Sequence, residues 1–286
     1  VAETPAGLPP GRHVDLPGRG RTWVHEADGP PGAPTLLLLH GWTATAALNW
    51  FTSIPTLAEH YRVLAIDHRG HGRGIRSSRP FRLEDCADDA AALARLVGAD
   101  RVIPVGYSMG GPVAQLMWRR HRHLVDGVVL CATSRSFRST PGERAVFGAL
   151  GGLALVTRVA PMSTRRDVRR RLLERRFGTD EEARWAIEES MRGVPRMVVE
   201  AGREIGSFTS HEWIGDLDVP AAVVITERDT VVHPDRQRHL AEAIPGASVH
   251  PVAADHLACA NATEVFVPAL VEACASVVAR SVQPSA

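Results

Sequence analysis

The sequence predicts an α/β protein, a mostly parallel sheet flanked by helices and interrupted once by a helical insertion. Three observations predict it. Short apolar runs alternate with segments of helical spacing, the rhythm of repeated βαβ units. That rhythm breaks between Thr133 and Trp213, which is Arg-rich and shows no clear strand, and then resumes. The 286 residues, 44% of them hydrophobic, are enough for one large core of this class.

Val14 to Leu16 and Thr22 to His25 flank Pro17-Gly18-Arg19-Gly20-Arg21 and read as a hairpin. Thr35 to Leu39 is a continuous apolar run, as expected of a strand covered on both faces. Asn49 to Glu59 has helical spacing weakened by Pro55, and Val63 to Ile66 is the next strand. Glu84 to Val97 reads as a helix stopped by Gly98. Val102 to Val105 is a strand, Met109 to Arg120 a helix and Val128 to Cys131 a strand. After the insertion come strand Ala221 to Thr226, helix His233 to Ala243, strand Ser248 to Val252 and helix Glu264 to Val278. The organisation expected is a core of residues 12–132 and 214–281 with residues 133–213 inserted into it.

A formal net charge of +1 gives no global field toward nucleic acid, and no nucleic-acid partner is expected. All 33 basic side chains are Arg. The four cysteines, Cys86, Cys131, Cys259 and Cys274, are widely spaced and form no metal-ligand pattern; they read as buried free thiols. His68 and His71 lack a third ligand at matching spacing, so no metal and no cofactor are expected. No apolar run nears the roughly 18–20 residues that span a bilayer. Val1 to Pro10 has no basic region followed by an apolar one, so the chain shows no signal peptide and a cytoplasmic location is expected.

The sharpest motif is Gly106-Tyr107-Ser108-Met109-Gly110, followed by Gly111, with a strand before it and a helix after it. It matches the G-x-S-x-G elbow, in which a tight strand-to-helix turn between small residues lifts the serine into the open. There Ser108 sits at a helix N-terminus, whose free N–H groups stabilise an oxyanion. With this context the chain resembles the α/β-hydrolase family, from about Arg21 to the last helix and least within the insertion. The resemblance implies an eight-stranded, mostly parallel sheet and a triad in the chain order nucleophile, acid, histidine.

A serine hydroxyl needs a base at neutral pH. Of 13 histidines, His256 follows the final strand in the short loop Ala253-Ala254-Asp255-His256-Leu257, which resembles the family's histidine loop. For the acid, Asp229 follows strand Ala221 to Thr226 and precedes Pro234; the family usually shows Gly-x-x-Asp there, and Thr226 stands in place of that Gly. Glu227 and Asp255 are rival carboxylates, with solvated charge as their plainer reading. His40-Gly41-Trp42 resembles the family's His-Gly-x turn, whose x amide, here that of Trp42, joins that of Met109 as an oxyanion donor. Gly41 permits close approach to the substrate, and His40 ties the loop by hydrogen bonds. The pocket is expected to involve His40, Gly41, Trp42, Tyr107, Met109 and Leu257, with core packing the alternative for Trp42 and Met109. Epoxide hydrolases of the fold carry His-Gly-x-Pro, where this chain has Thr43. They and haloalkane dehalogenases use an Asp nucleophile, where it has Ser108. Asp67-His68-Arg69-Gly70-His71-Gly72 resembles the family's Asp-x-Arg-Gly-x-Gly turn, a structural brace.

The position of residues 133–213 resembles the family's cap, or lid. Val146 to Ala160 is apolar and could wall an acyl channel or meet a lipid surface peripherally. Arg165 to Arg176 is crowded with arginines and reads as a solvated helix face or as an attractor for anionic lipid, phosphate or coenzyme A. The reading is a cofactor-independent carboxylic ester hydrolase acting on hydrophobic or lipid-like acyl esters through an acyl-enzyme on Ser108. Thioesterase, C–C bond hydrolase and perhydrolase chemistry reuse the same triad, and a non-catalytic ligand-binding protein on the fold is the alternative of another class.

Overall fold

A computed structural model describes residue 5, residues 7–137 and residues 181–281. Its eight strands form one sheet in the order β1-β2-β4-β3-β5-β6-β7-β8. The hairpin of β1 (Gly11–Leu16) and β2 (Gly20–Ala27) is antiparallel, closed by the Arg19 N–H on the Leu16 carbonyl at 3.0 Å. β2 pairs antiparallel with β4 (Arg62–Ile66). All later pairings are parallel, through β3 (Thr35–Leu39), β5 (Ile103–Tyr107), β6 (Val128–Cys131), β7 (Ala221–Thr226) and β8 (Ser248–Val252).

The two-residue period of the strands sorts side chains to two cores. Leu37, Leu39, Leu64 and Ile66 join one core, with α3 (Leu83–Leu96) and α4 (Gly110–Arg120). Leu36, Leu38, Val63 and Ala65 join the other, with α1 (Ala46–Trp50), α2 (Ile54–Ala58) and the long C-terminal helix Thr263–Ser281. Both faces are covered, which is why β3 is buried along its whole length and reads as an unbroken apolar run.

The helix expected over Asn49 to Glu59 is two helices. Thr45 caps the first, its Oγ1 accepting the Leu48 N–H at 3.1 Å, and Pro55 lies in the first turn of the second. Proline has no N–H to give a preceding turn and fits a helix start, so the chain restarts there instead of continuing. The α3 stop is as the sequence indicates, with Gly98 at φ +68° after the last turn.

Most of the insertion, residues 138–180, lies outside the described residues, and with it the apolar stretch 146–160 and the Arg-rich stretch 165–176. The described remainder contains α5 (Glu181–Ser190) and α6 (Pro195–Ser207). It docks on the loop between β4 and α3. Arg73 makes two hydrogen bonds, of 2.9 and 2.8 Å, to the buried Glu189 carboxylate. The Val194 N–H meets the Gly70 carbonyl at 2.7 Å, and the Phe81 N–H meets Glu200 at 2.9 Å. Among the described residues no helix is long and apolar enough to cross a membrane.

The same loop is fixed to α3 by a buried ion pair. Arg69 Nε and Nη2 each donate to Asp89 at 2.8 Å, and Arg19 adds a third bond to that carboxylate. Removing one partner of a buried pair leaves an uncompensated charge. Asp89→Ala is therefore expected to cost about 3 kcal/mol, read as a lower urea midpoint; an unchanged midpoint would contradict this role for the pair.

Candidate active site

The chain runs from β3 out to β4 on one side and returns to β5 on the other, so the carboxyl ends of β3 and β5 meet where the strand order reverses. Open α/β sheets bind ligands at such a point. His40-Gly41-Trp42 leaves the end of β3 and Ser108 leaves the end of β5.

Ser108 has φ +50°, a left-handed conformation that costs a non-glycine residue roughly 1–3 kcal/mol. Its surroundings hold it there. The Ser108 N–H donates to the Cys131 carbonyl at 2.9 Å, and the Ser108 carbonyl accepts from the Gly111 N–H at 2.9 Å and the Thr133 hydroxyl at 2.8 Å. The flanking glycines are required by space: a Cβ on Gly106 would run into the Gly110 carbonyl, and one on Gly110 into the Leu39 carbonyl.

The half-buried Ser108 hydroxyl lies 2.9 Å from His256 Nε2, and His256 Nδ1 lies 2.7 Å from Asp229 Oδ2. A carboxylate only accepts, which places the imidazole proton on Nδ1 and leaves Nε2 to accept from the serine. Asp229 is buried; its Oδ1 takes the Val231 and Val232 N–H groups, both at 2.8 Å. Burial alone would raise its pKa, but the hydrogen bond and charge of His256, then the Val232 amide and the Thr226 hydroxyl, hold it below the usual value. The rival carboxylates are engaged elsewhere: Glu227 is 3.6 Å from Arg238, and Asp255 accepts the Leu257 N–H at 2.8 Å.

The His-Gly-Trp turn abuts the serine, since a Cβ on Gly41 would sit 3.4 Å from Ser108 Cβ. Asn49 Oδ1 accepts the Gly41 N–H at 2.8 Å and fixes the turn. Among the described residues the Trp42 and Met109 N–H groups donate to no protein acceptor.

The expected pocket residues divide. The Trp42 indole donates to the Val198 carbonyl of α6 at 2.7 Å, so this side chain faces the insertion. Leu257 is half-buried beside His256. The Met109 side chain is wholly buried in the core, leaving its backbone at the site. Tyr107 is buried too, and its hydroxyl donates to the His256 carbonyl at 2.9 Å, anchoring the histidine loop. His40 is fully buried, with Nδ1 on the Gly41 carbonyl at 2.7 Å and Nε2 accepting the His68 N–H at 2.9 Å. That bracing uses both ring nitrogens, so His40 presents no polar group to a pocket.

Two contributors escape the sequence reading. Thr226 and Gln237 are fully buried against Asp229, with the Thr226 hydroxyl 2.8 Å from Oδ2. The only signal for either was Thr226 at a position where the resemblance suggested Gly. Near the site, burial pushes the Cys259 thiol up to about 12, so it is an inert filler rather than a second nucleophile.

A family model described as alpha/beta hydrolase fold matches residues 34–186, and the chain belongs to that family. It is 37% identical over 106 residues to the pimeloyl-[acyl-carrier protein] methyl ester esterase of Sodalis glossinidius, covering 37% of this chain and 39% of that protein. It is 36% identical over 114 residues to epoxide hydrolase B of Mycobacterium tuberculosis, covering 38% of this chain and 32% of that protein. The chain thus matches about a third to two-fifths of the length of these relatives. A hydrolase from Pseudomonas aeruginosa shares the fold at a TM-score of 0.77 and 21% identity, over 92% of this chain and 98% of that one.

The histidines under the turn give a pH signature. Burial, then the charges of neighbouring imidazoles, holds His40 well below the usual 6.5; the same causes bring His68 down to about 3. Burial raises Asp67 to about 6, against the pull of the Arg73 and Ala46 amides. Of these three groups, unfolding lets both imidazoles take up protons below about 6.5, while the folded state holds the Asp67 proton below about 6. The balance of these three groups favours the unfolded chain on acidification, and the lowered pKa values of His25, His121, His211 and His250 act in the same direction. Stability is expected to be greatest above pH 6.5 and to fall as the pH drops below it. Urea unfolding at a series of pH values checks this, and His68→Leu should flatten the slope.

Proposed function

We propose that the chain is a carboxylic ester hydrolase in which Ser108 is the nucleophile, His256 the general base and acid, and Asp229 the group that orients and supports His256. The observation that carries this reading is the continuous relay from Ser108 Oγ through His256 to the buried Asp229, at 2.9 and 2.7 Å. His256 Nε2 takes the hydroxyl proton as Oγ adds to the ester carbonyl. The resulting oxyanion lies between the Trp42 and Met109 amides. His256 then returns the proton to the departing alcohol, leaving an acyl-Ser108 ester. Water, giving its proton to the same nitrogen, releases the acid and restores the serine.

The serine nucleophile favours acyl transfer over epoxide opening, which in this fold uses an aspartate. The esterase among the relatives, named for a methyl ester, agrees with that preference. The apolar stretch 146–160 of the sequence supports a hydrophobic acyl group, and residues 133–213 serve as the cap over it. Thioesters and activated C–C bonds offer the same carbonyl to Ser108.

The test is steady-state hydrolysis of p-nitrophenyl esters from short to long chains, with fluorophosphonate labelling alongside. Turnover with a chain-length optimum is expected, falling by about 10⁴-fold or more in Ser108→Ala, and the label should attach at Ser108. Labelling without ester turnover would replace the ester by a thioester or C–C substrate. No label at Ser108 would remove the catalytic reading and leave a ligand-binding protein.

A further inference from the structure

We infer that Thr226, its hydroxyl aimed by Gln237, is a positioning residue that sets how strongly Asp229 supports the charged form of His256; this rests on the triad roles proposed above. The two Asp229 oxygens have different partners. Oδ1 is saturated by the Val231 and Val232 amides. Oδ2 is shared between His256 Nδ1 at 2.7 Å and the Thr226 hydroxyl at 2.8 Å, with Gln237 Nε2 at 3.3 Å.

Gln237 fixes the direction of the hydroxyl proton. Its Nε2 donates to Thr226 Oγ1 at 2.9 Å and to the Val232 carbonyl at 2.7 Å, while its Oε1 accepts the Thr226 N–H at 3.0 Å. The other acceptor within reach of the hydroxyl is that same Oε1, farther away at 3.3 Å and already occupied. The proton is thus directed at Asp229 Oδ2. All three side chains are buried, so no solvent can substitute for a lost donor. A glycine in place of Thr226 would supply no such donor.

Donors on one carboxylate oxygen share its charge, and the two short ones here are His256 Nδ1 and the Thr226 hydroxyl. Charge drawn toward the Thr226 hydroxyl is withheld from the imidazole, so the hydroxyl keeps Asp229 ionised and oriented while moderating the basicity of His256. Removing it should strengthen the hold of Asp229 on the imidazolium and raise the pH at which His256 becomes a free base. The other charged and titratable groups around this cluster are Glu227 and Arg228 on the acid loop, and His233 and Arg238, which line the same groove. Asp235 pairs with those last two; Asp255 adjoins His256, and Tyr107 and Cys259 lie beneath. Thr226→Val alters none of them, so a shift in that variant reports the hydroxyl.

The experiment is the pH profile of kcat/KM for the whole chain as wild type, Thr226→Val, Thr226→Ser and Gln237→Leu, with NMR titration of histidine-labelled protein. His256 is assigned by His256→Gln. In Thr226→Val the acid limb is expected to move up by roughly half to one pH unit. Its kcat should fall about five-fold with KM unchanged. Thr226→Ser should restore both, and Gln237→Leu, which removes only the longer 3.3 Å donor to Oδ2 and leaves the hydroxyl on it, should give a smaller upward shift than Thr226→Val. The His256 titration should move with the limb. A limb and a titration that stay in place or move down in Thr226→Val overturn the inference, whatever happens to kcat. If the wild type shows no Ser108-dependent turnover, the esterase reading fails; the NMR titration still decides whether Thr226 controls His256.

Discussion

The structure depends on one backbone constraint, the left-handed turn at Ser108 between β5 and α4. The conformation is unfavourable for serine, and three hydrogen bonds to its backbone, from the end of β6, from Thr133 just beyond it and from the start of α4, hold it. The close approach of the Gly110 Cα to the Leu39 carbonyl then fixes how far α4 stands from β3. Because the His-Gly-Trp turn leaves that same strand end, the serine and its neighbouring amides are positioned by one packing arrangement. The histidine loop is tied in by Tyr107, whose side chain enters the core as its neighbour Ser108 leaves it. Alternation along β5 thus does two tasks with adjacent residues.

The central parallel strands were legible because both their faces are buried, which leaves continuous apolar runs bounded by turns; β8, at the sheet edge, is half-exposed and alternates instead. β3, β6, β7 and β8 begin and end where the sequence indicates. The break between α1 and α2 was only partly legible: Pro55 weakens a helix pattern, but whether it bends the helix or restarts it depends on packing beneath. At the site, Ser108, Asp229 and His256 could be singled out because each sits at a strand end with its own local signature, and the structure brings them together. The Thr226–Gln237 pair could not be, because its residues are 11 apart and converge only through the turn from β7 into its following helix. Buried polar partners carry no periodicity. His40 shows the converse: its type and place suggested a pocket residue as well as a brace, and only the bonds to Gly41 and His68 show where its nitrogens are committed.

The turn beneath the site is assembled from ions and imidazoles rather than hydrocarbon. Asp67 accepts the Ala46 and Arg73 amides, Arg69 is clamped by Asp89, and Arg73 reaches Glu189 of the insertion. Such groups gain little net stability over an apolar core, but they fix geometry, because each has few satisfactory arrangements. The insertion is therefore not merely laid on the core. Glu189 and Glu200 supply acceptors to Arg73 and to the Phe81 amide of the core.

Trp42 belongs to both halves. Its amide stands beside Ser108, while its indole is bound to the Val198 carbonyl and packed on Gly202 of α6, where a Cβ would collide with the ring. The amide therefore takes its position from Asn49 and β3 on one side and from the insertion on the other. Asp229 is held with the same redundancy, its carboxylate fixed by two amides at one oxygen and shared among His256, Thr226 and Gln237 at the other. In both cases the position is fixed by neighbouring groups. Donors held in place before a charge develops stabilise it without the cost of reorienting at the moment it appears.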